Sequence, residues 1–237
     1  MKKIMKKFMR KLIYNHRADS ESYINWLIKQ GVKVGGGTHI YDPQSTLIDA
    51  QRPYLLTIGE NVQITHGVTI LTHGYDWSVL KGVYGDVIGS AGEVVIGNNV
   101  FIGMNATILK NVHIGNNVII GANSLVNKSF PDNVVIAGNP AKVICTLEEY
   151  YKKRLSIYEQ EAICLVKCYR KKYNKEPGYN ELHEFFWLFT DSNDELIPLY
   201  KHMNELVTID KTNEKFKQNK KKYKDINDFL KSVPWGE

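Results

Sequence analysis

The basic character of this 237-residue chain is confined to one end, so it does not indicate a nucleic-acid-binding surface. Of the net charge of +6, seven positive charges lie within the first 17 residues with no acid among them, and the remaining residues therefore sum to −1. The absence of an apolar run near the roughly 20 residues of a membrane span, the lack of a signal-peptide core and the odd count of three cysteines favour a protein of the reducing cytoplasm.

Residues 1–33 are predicted to form two N-terminal helices. Apolar side chains stand at helical spacing among the lysines and arginines of segment 1–17, at Ile4, Met5, Phe8, Met9, Leu12 and Ile13. Such a basic amphipathic helix either lies on an anionic membrane surface or packs on the protein with its basic side in water, and the sequence leaves both open. The second helix is predicted to start with Asp19 or Ser20 as its N-cap and to end at Gly31.

The stretch from Ile96 to Pro131 repeats every six residues. The leading aliphatic positions are Ile96, Ile102, Ile108, Ile114, Ile120 and Val126. A period of six fits neither a helix nor a simple strand, but it fits short strands joined by turns in which Gly and Asn supply positive φ. Three units close one triangular coil, and stacked coils pair as parallel sheets with the aliphatic side chains inside. The repeat therefore predicts a mainly β protein built on a parallel β-helix.

This β-helix is predicted to span residues 34–146 with one interruption. The six-residue phase begins near Val34, breaks within 46–56, and closes its last coil near Ile144. Residues 71–93 do not fit the period and carry several glycines and aromatic residues. An inserted segment of this length in a compact domain is usually functional or disordered, and its aromatic content favours an ordered functional loop.

A helical C-terminal extension is predicted for residues 147–237. Its first element is one long amphipathic helix that begins at Leu147 and is ended by Pro177 and Gly178. The later predicted elements are a buried helix over 181–189, a helix within 194–207, a solvated lysine-rich segment over 211–224 and a short helix over 225–233. The lysine-rich segment lacks the interleaved stacking aromatics of a single-strand binding site, so we predict no nucleic-acid partner.

Among the seven histidines, His73 stands where a catalytic base is best placed. It opens the inserted loop directly after the coil residue Ile70, so a rigid scaffold edge would fix its imidazole against a substrate. His66, at a turn between units, is a weaker candidate. The histidines lack convergent ligand spacing, so no metal site is predicted.

The quoted residues resemble those of the hexapeptide-repeat acyltransferases. The stretch THGYDWSVLKGVYG, followed by VVIGNNVFIGMNATIL, looks like the maltose, galactoside and xenobiotic O-acetyltransferase branch, and most like its polysaccharide-biosynthesis members. The resemblance covers residues 34–146. It implies a left-handed β-helix, a homotrimer, acetyl-CoA as co-substrate and His73 as the general base.

The same resemblance implies contacts to the acetyl donor. The expected donor-binding residues are Gly103, Met104, Ala122, Asn127, Lys128 and Lys142. Lys128 and Lys142 are the expected partners of the phosphates, since a lysine offers charge-assisted hydrogen bonds. Cys145 stands where the family commonly has another basic residue. Backbone N–H groups at Gly103 or Met104 are expected to stabilise the developing oxyanion.

For the acceptor, the resemblance places Asp42 where the family has an asparagine that contacts the sugar. The predicted acceptor contacts are Asp42, Asp76, Trp77 and Tyr84. Asp76 is alternatively the group that orients the His73 imidazole, or a turn residue. A sugar-stacking wall of the loop aromatics with Asp49, Arg52 and Tyr54 is a further alternative, although core or trimer packing is the commoner role for each of these residues.

The sequence thus favours a cytoplasmic, trimeric O-acetyltransferase that moves an acetyl group from acetyl-CoA to a sugar hydroxyl in surface-polysaccharide assembly. Peripheral membrane contact through residues 1–17 stays open. Two alternatives remain. The same chemistry can act on an antibiotic or amino-sugar amine, or the β-helix can be a non-catalytic scaffold that binds a partner protein.

Overall fold

The computed structural model describes residues 2–207 and 210–235, and of the side chains in 1–8 it describes that of Met5. The chain divides into two compact units, Met1–Tyr150 and Tyr151–Glu237. Within the described ranges, no helix combines the length and the hydropathy that crossing a lipid bilayer requires.

Three sheets of short strands form the sides of a prism in the first unit. The first face holds β1 (Lys33–Val34), β4 (Leu56–Ile58), β9 (Val94–Ile96) and β12 (Val112–Ile114). The second face holds β2 (His39–Ile40), β5 (Gln63–Ile64), β10 (Phe101–Ile102), β13 (Ile119–Ile120) and β15 (Val134–Ala137). The third face holds β3 (Leu47–Ile48), β6 (Thr69–Ile70), β11 (Thr107–Ile108) and β14 (Leu125–Val126). The chain visits the three faces in turn and pairs in parallel with the coil before it, which confirms the parallel sheets predicted from the repeat.

The interior of the prism is a stack of the leading aliphatic residues. On the second face, Ile102 pairs with Ile64 on one side and Ile120 on the other, and all three side chains are fully buried. Each such burial contributes about 1.5–3 kcal/mol, and the same pairing recurs on the other two faces. One coil cannot enclose its own apolar side, so the coils are stable only as a stack.

The turns between strands meet two requirements, positive φ and close approach of neighbouring coils. Positive φ is taken by the turn residues Asn61, Asn99, Asn105, Asn111, Asn117, Asn123 and Asn133. Gly37 and Gly67 also take positive φ in turns, as predicted for Gly and Asn, whereas the repeat glycine Gly103 does not. Instead a Cβ at Gly103 would lie 2.6 Å from the backbone nitrogen of Ala122 in the next coil. The glycine is therefore required by close stacking of the coils.

The second N-terminal helix covers the open end of the first coil. Helix α2 (Ser20–Gln30) follows α1 (Lys2–Tyr14), and the Asp19 side chain accepts a hydrogen bond from the Ser22 N–H at 2.8 Å. Gly31 ends α2 with a φ of +106°. Tyr23 and Leu27 are fully buried in the core of the β-helix. The predicted cap and end of this helix are both confirmed, and its buried face shields the first coil from water.

Helix α1 presents apolar side chains to solvent. Met5, Met9, Leu12 and Ile13 are between 54% and 67% exposed. The predicted contributions of Ile4 and Phe8 lie outside the described side chains. The sequence predicts either a helix on a membrane surface or a helix packed on the protein. Packing on the protein does not account for these exposed side chains.

The interruption of the repeat carries its own secondary structure. Between β6 and β9 the chain forms a two-stranded antiparallel hairpin of β7 (His73–Gly74) and β8 (Ser90–Ala91), with helix α3 (Trp77–Tyr84) between them. The sequence predicts an ordered loop here, and the structure places helix α3 within it. The hairpin holds both ends of the segment at one corner of the prism.

The C-terminal part of the chain is helical. Strand β16 (Lys142–Thr146) pairs antiparallel with β15, and α4 (Leu147–Tyr173), α5 (Pro198–Glu205), α6 (Asp210–Gln218) and α7 (Ile226–Ser232) follow. The predicted helix over 181–189 is wrong, because these residues are buried in part but form only one 3-10 turn at Phe186–Leu188. The lysine-rich stretch 211–224 is mostly exposed, as predicted, but it contains α6, whose Phe216 is buried.

The buried cation Arg170 ties the end of α4 to α7. Its guanidinium forms two hydrogen bonds of 2.9 and 3.0 Å with the Glu176 carboxylate, and it donates to the carbonyl oxygens of Leu230 and Val233 at 2.7 and 2.6 Å. Burial of a charge is costly unless it is paired and hydrogen-bonded, and here both conditions are met.

Candidate active site

The third corner of the prism, where the chain leaves the third face for the first face of the next coil, holds a histidine and an aspartate. Asp49 directly follows β3, and its N–H donates to the Ile70 carbonyl of the coil above at 3.0 Å. The chain leaves β6 at Ile70 and turns outward, which places His73 over Asp49. His73 Nδ1 lies 2.5 Å from Asp49 Oδ2.

Four donors surround the Asp49 carboxylate. Oδ2 accepts from the Thr72 N–H at 3.1 Å and the Thr72 hydroxyl at 2.6 Å as well as from His73, and Oδ1 accepts from the Gln51 N–H at 3.0 Å. Burial by itself raises the pKa of this carboxyl, but the hydrogen bonds from Thr72, Gln51 and His73 outweigh burial and lower that pKa below its ordinary value. Asp49 is therefore an ionised, fixed acceptor at neutral pH.

This carboxylate decides what the imidazole can do. An ionised aspartate only accepts hydrogen bonds, so the proton of a neutral His73 ring lies on Nδ1 and the lone pair on Nε2. The Asp49 side chain is 4% exposed and the His73 side chain 23% exposed, so the pair is anchored inside while the imidazole still reaches solvent. A positioned imidazole with an open Nε2 has the properties of a general base.

The group that orients His73 is thus Asp49, and the alternative assignment of this role to Asp76 is wrong. Asp76 is exposed at the residue before α3, with no side-chain cap hydrogen bond. From the sequence, Asp49 is expected only in a sugar-stacking wall or in packing. The parallel register of Ile48 with Ile70 would have revealed the pair, because it brings the residues that follow these two strands to one corner.

The predicted donor-binding residues fall on two corners of the prism and on the terminal strand. Asn127 and Lys128 follow β14, so they share the third corner with the Asp49–His73 pair. Met104 and Ala122 are exposed at the second corner, between the second and third faces. Lys142 is exposed at the start of β16. One chain therefore does not bring all these residues to a single corner.

Two of these residues have other contacts. The Gly103 N–H donates to the Ile120 carbonyl at 2.8 Å as part of the ladder between coils, which removes it from the candidate oxyanion donors. The ammonium of Lys128 lies 5.6 Å from the centre of the Phe130 ring. Cys145, three residues after Lys142 on β16, is a free cysteine that is partly buried.

A second histidine–aspartate pair occupies the second corner. His66 Nδ1 lies 2.7 Å from Asp42 Oδ2 and 3.1 Å from the Ser45 hydroxyl, and this pair is largely exposed. The hydrogen bond from His66 is the main cause that lowers the pKa of the Asp42 carboxyl. From the sequence, Asp42 and His66 are separate candidates, and the structure pairs them.

The remaining predicted acceptor contacts lie in the inserted segment. Trp77 is partly buried and its ring centre lies 4.8 Å from that of Tyr75, while Tyr84 is exposed at the end of α3. Arg52, three residues after Asp49, has a buried Nη1 without a hydrogen-bond partner in the described part of the chain.

No metal site is found among the residues that the structure describes, because no group of three or more His, Cys, Asp or Glu side chains is arranged to hold a metal ion.

Comparison with known proteins identifies relatives of this chain. Residues 93–128 match the family model "Bacterial transferase hexapeptide (six repeats)". Protein CapG of Staphylococcus aureus is 39% identical over 179 residues, which span 72% of this chain and 100% of that protein. The putative acetyltransferase YvoF of Bacillus subtilis is 33% identical over 54% of this chain and 70% of its own length. Galactoside O-acetyltransferase of Escherichia coli is 38% identical over 46% of this chain and 53% of its own length.

Proposed function

Because this chain belongs to the hexapeptide-repeat acetyltransferases, we propose that it transfers the acetyl group of acetyl-CoA to a hydroxyl group of a sugar. Membership of this family establishes acyltransferase activity for the chain. What we propose beyond this activity is the acetyl donor, the sugar acceptor and the role of each residue. The single observation that carries it is the Asp49–His73 pair at a corner of the rigid prism.

In the proposed mechanism His73 is the general base. A sugar hydroxyl is a poor nucleophile at neutral pH, whereas a thioester is an activated acyl donor. His73 Nε2 takes the hydroxyl proton as the sugar oxygen attacks the thioester carbonyl, and the imidazolium returns the proton to the leaving thiolate. Asp49 holds the ring in the required tautomer and stabilises its charged form. General-base assistance of this kind contributes about 10²–10⁴-fold.

The donor site is proposed to lie between two copies of the chain in a homotrimer. The third corner carries the base together with Asn127 and Lys128, while Met104 and Ala122 lie on the second corner. A neighbouring copy that sets its second corner against this third corner would join the two groups. Exposed apolar side chains of the inserted segment support a second copy there, namely Tyr75, Val79, Val83, Tyr84, Val87 and Ile88. A left-handed winding of the β-helix is part of the same proposal.

For the acceptor, a sugar hydroxyl is favoured over the alternatives. One relative is named for O-acetylation of a galactoside, and another, CapG, is similar over its entire length. The proposed acceptor contacts are Asp42, Asp76, Trp77 and Tyr84, and the proposed setting is surface-polysaccharide assembly in the cytoplasm, where acetyl-CoA is made. An antibiotic or amino-sugar amine would need the same base. A non-catalytic scaffold would not need an ionised Asp49 behind a partly exposed imidazole.

The proposal is tested with His73→Ala and a matched control, His113→Ala. His113 pairs with Glu93 at 3.3 Å on an exposed part of the first face. We expect His73→Ala to lower kcat for acetyl transfer to a galactoside acceptor by at least about 10²-fold, because the hydroxyl loses its base, and His113→Ala to leave it unchanged. Coenzyme A should raise the melting temperature of both variants. Near-normal turnover of His73→Ala would overturn the assignment of the base, and no stabilisation of the wild-type protein by coenzyme A would favour a scaffold.

Membrane contact through residues 1–17 is proposed as a separate property. The exposed Leu12 and Ile13 at the end of α1 lie among basic residues, as in helices that bind anionic lipid surfaces. We expect the double variant Leu12→Asp/Ile13→Asp to reduce co-sedimentation with anionic vesicles by about tenfold, since it removes the apolar part of the binding. Ile28→Asp, at an exposed position of α2, serves as the control. Equal binding of both variants would contradict a membrane role for α1.

A further inference from the structure

The C-terminal unit contains a cavity that the proposed reaction does not use. Its volume is about 690 Å³, within the range of about 300–1,000 Å³ that small-molecule sites occupy. Its apolar wall is made of Tyr151, Leu155, Tyr158, Phe186, Trp187 and Met203. All of these residues lie outside the residues 93–128 that match the family model. The cavity is therefore a feature of this unit and not of the six-residue repeat.

Fixed aromatic rings form the apolar wall. The Trp187 Nε1–H donates to the buried Asn204 Oδ1 at 3.1 Å, and the Trp187 ring centre lies 5.1 Å from that of Phe216. The Tyr158 hydroxyl donates to the Glu184 carbonyl at 3.0 Å, and burial raises the pKa of this phenol, so it stays neutral. Ring orientations that are already set lower the entropic cost of binding a flat ligand face.

The rim of the cavity is basic. Lys211 and Lys215 stand one turn apart on α6, and neither forms an ion pair with any residue that the structure describes. Arg154 also lines the cavity, and its guanidinium is held by Glu161 through two bonds of 2.7 and 2.6 Å. Among the lining residues that the structure describes, Glu184 is the one carboxylate residue, against three cationic residues. The two lysines are thus available to an anion from solution.

We propose that this cavity binds a segment of an acidic glycan, with a sugar ring against the aromatic wall and a carboxylate on Lys211 and Lys215. One face of a pyranose ring consists of C–H groups, which lose water favourably against an aromatic surface, while an anionic substituent gains charge-assisted hydrogen bonds from the lysines. A neutral glycan would leave the lysines without a role. The inference rests on the proposed function, and it deepens it by naming an acidic polysaccharide as the class of acceptor.

The test is equilibrium binding of a short oligogalacturonate to the full-length protein, with a neutral galactose oligosaccharide of equal length and uridine diphosphate as comparison ligands. The variant is Lys211→Glu/Lys215→Glu. The matched control is Lys167→Glu/Lys171→Glu, which changes the same charges at the same spacing on exposed positions of α4. Tyr151→Ala tests the wall at a residue that is 54% exposed, so the unit should still fold.

We expect the wild type to bind the acidic oligosaccharide, the Lys211→Glu/Lys215→Glu variant to bind it at least about tenfold more weakly, and the control to bind as the wild type does. Tyr151→Ala should also weaken binding. No binding of the acidic ligand, equal binding of the neutral one, equal loss in the control or tighter binding of uridine diphosphate would each overturn the proposal.

The same variants separate this inference from the proposed reaction. Acetyl transfer to a small galactoside is measured on the wild type and on His73→Ala, and binding of the acidic oligosaccharide is measured on the wild type and on the Lys211→Glu/Lys215→Glu variant. If acetyl transfer occurs but the acidic ligand does not bind at the lysines, only the glycan site fails. If the acidic ligand binds but no acceptor is acetylated, the reaction fails and the binding site stands.

Discussion

The β-helix and the C-terminal unit solve the problem of burying a core in opposite ways. In the β-helix the same pattern recurs from coil to coil, with aliphatic residues inside, an Asn or Gly in the turns and a Gly where the next coil approaches. In the C-terminal unit each important contact occurs once, as in the Arg170 network and the Trp187–Asn204 hydrogen bond. The first core depends on a pattern, and the second on individual residues.

The difference shows where chemistry can be placed. In the β-helix, the Asp49–His73 pair stands where the repeat is broken, at the residues that follow β3 and β6. Regular coils leave their corner residues to ladders such as that of Asn99, Asn117 and Asn133, whose side-chain amides bond to one another at 2.9 Å. A repeat supplies rigidity, and a departure from it supplies a side chain that is free for another purpose.

The largest expected effect is on the rate of acetyl transfer, and it comes from Asp49, which lies where the repeat is interrupted. Asp49→Asn should lower kcat by about 10²–10⁴-fold, because an amide neither fixes the Nδ1–H tautomer nor stabilises the imidazolium. The KM for acetyl-CoA should change little, since Asp49 acts through His73. Steady-state kinetics on the purified protein would measure both. The control is Glu93→Gln, the acid of the exposed His113 pair, and an equal loss there would show that Asp49 has no special position.

The next effect concerns the repeat itself. Gly103→Ala should destabilise the β-helix by about 3 kcal/mol, because its Cβ would meet the backbone of the next coil and push two coils apart. Gly36→Ala is the matched control, since no atom lies within 4 Å of a Cβ at that position. Urea denaturation followed by hydrogen exchange in residues 94–126 would measure the difference. Equal stabilities of the two variants would show that stacking does not require the glycine.

The smallest of these effects is expected in the C-terminal unit. Arg170→Met should destabilise that unit by about 2 kcal/mol, because Glu176 and the carbonyls of Leu230 and Val233 lose their buried donor. Lys222→Met, in an exposed pair with Glu159, should cost less than about 1 kcal/mol. Hydrogen exchange in residues 151–235 would report on this unit separately. A loss that spread equally through the β-helix would contradict the separation of the two cores.

Prediction from the sequence succeeded where structure follows from local spacing. The six-residue period predicted the parallel coils, Asp19 and Gly31 bounded α2, and the long helix after Leu147 was located by its apolar spacing. Prediction failed where the secondary structure depends on packing against residues distant in the sequence. Residues 181–189 are apolar enough for a buried helix, but their buried side chains pack against α4–α7 in irregular turns. Helix α3 was missed because its residues are rich in aromatic and β-branched types.

For the site, spacing and resemblance selected His73 but not its partner. Asp49 and His73 are 24 positions apart, and only the stacking of one coil on the next brings them together. The basic cavity combines α4 with α6 in the same way, from residues separated by more than a whole helix.

By itself, the sequence determined the repeating unit, the buried aliphatic ladder and the turn residues, because each of these depends on contacts between positions a fixed distance apart. Tertiary structure alone decided which carboxylate faces the imidazole, which backbone amides are already used and where two lysines meet an aromatic wall. Those outcomes depend on long-range register and on the packing of elements, and local periodicity carries no information about either.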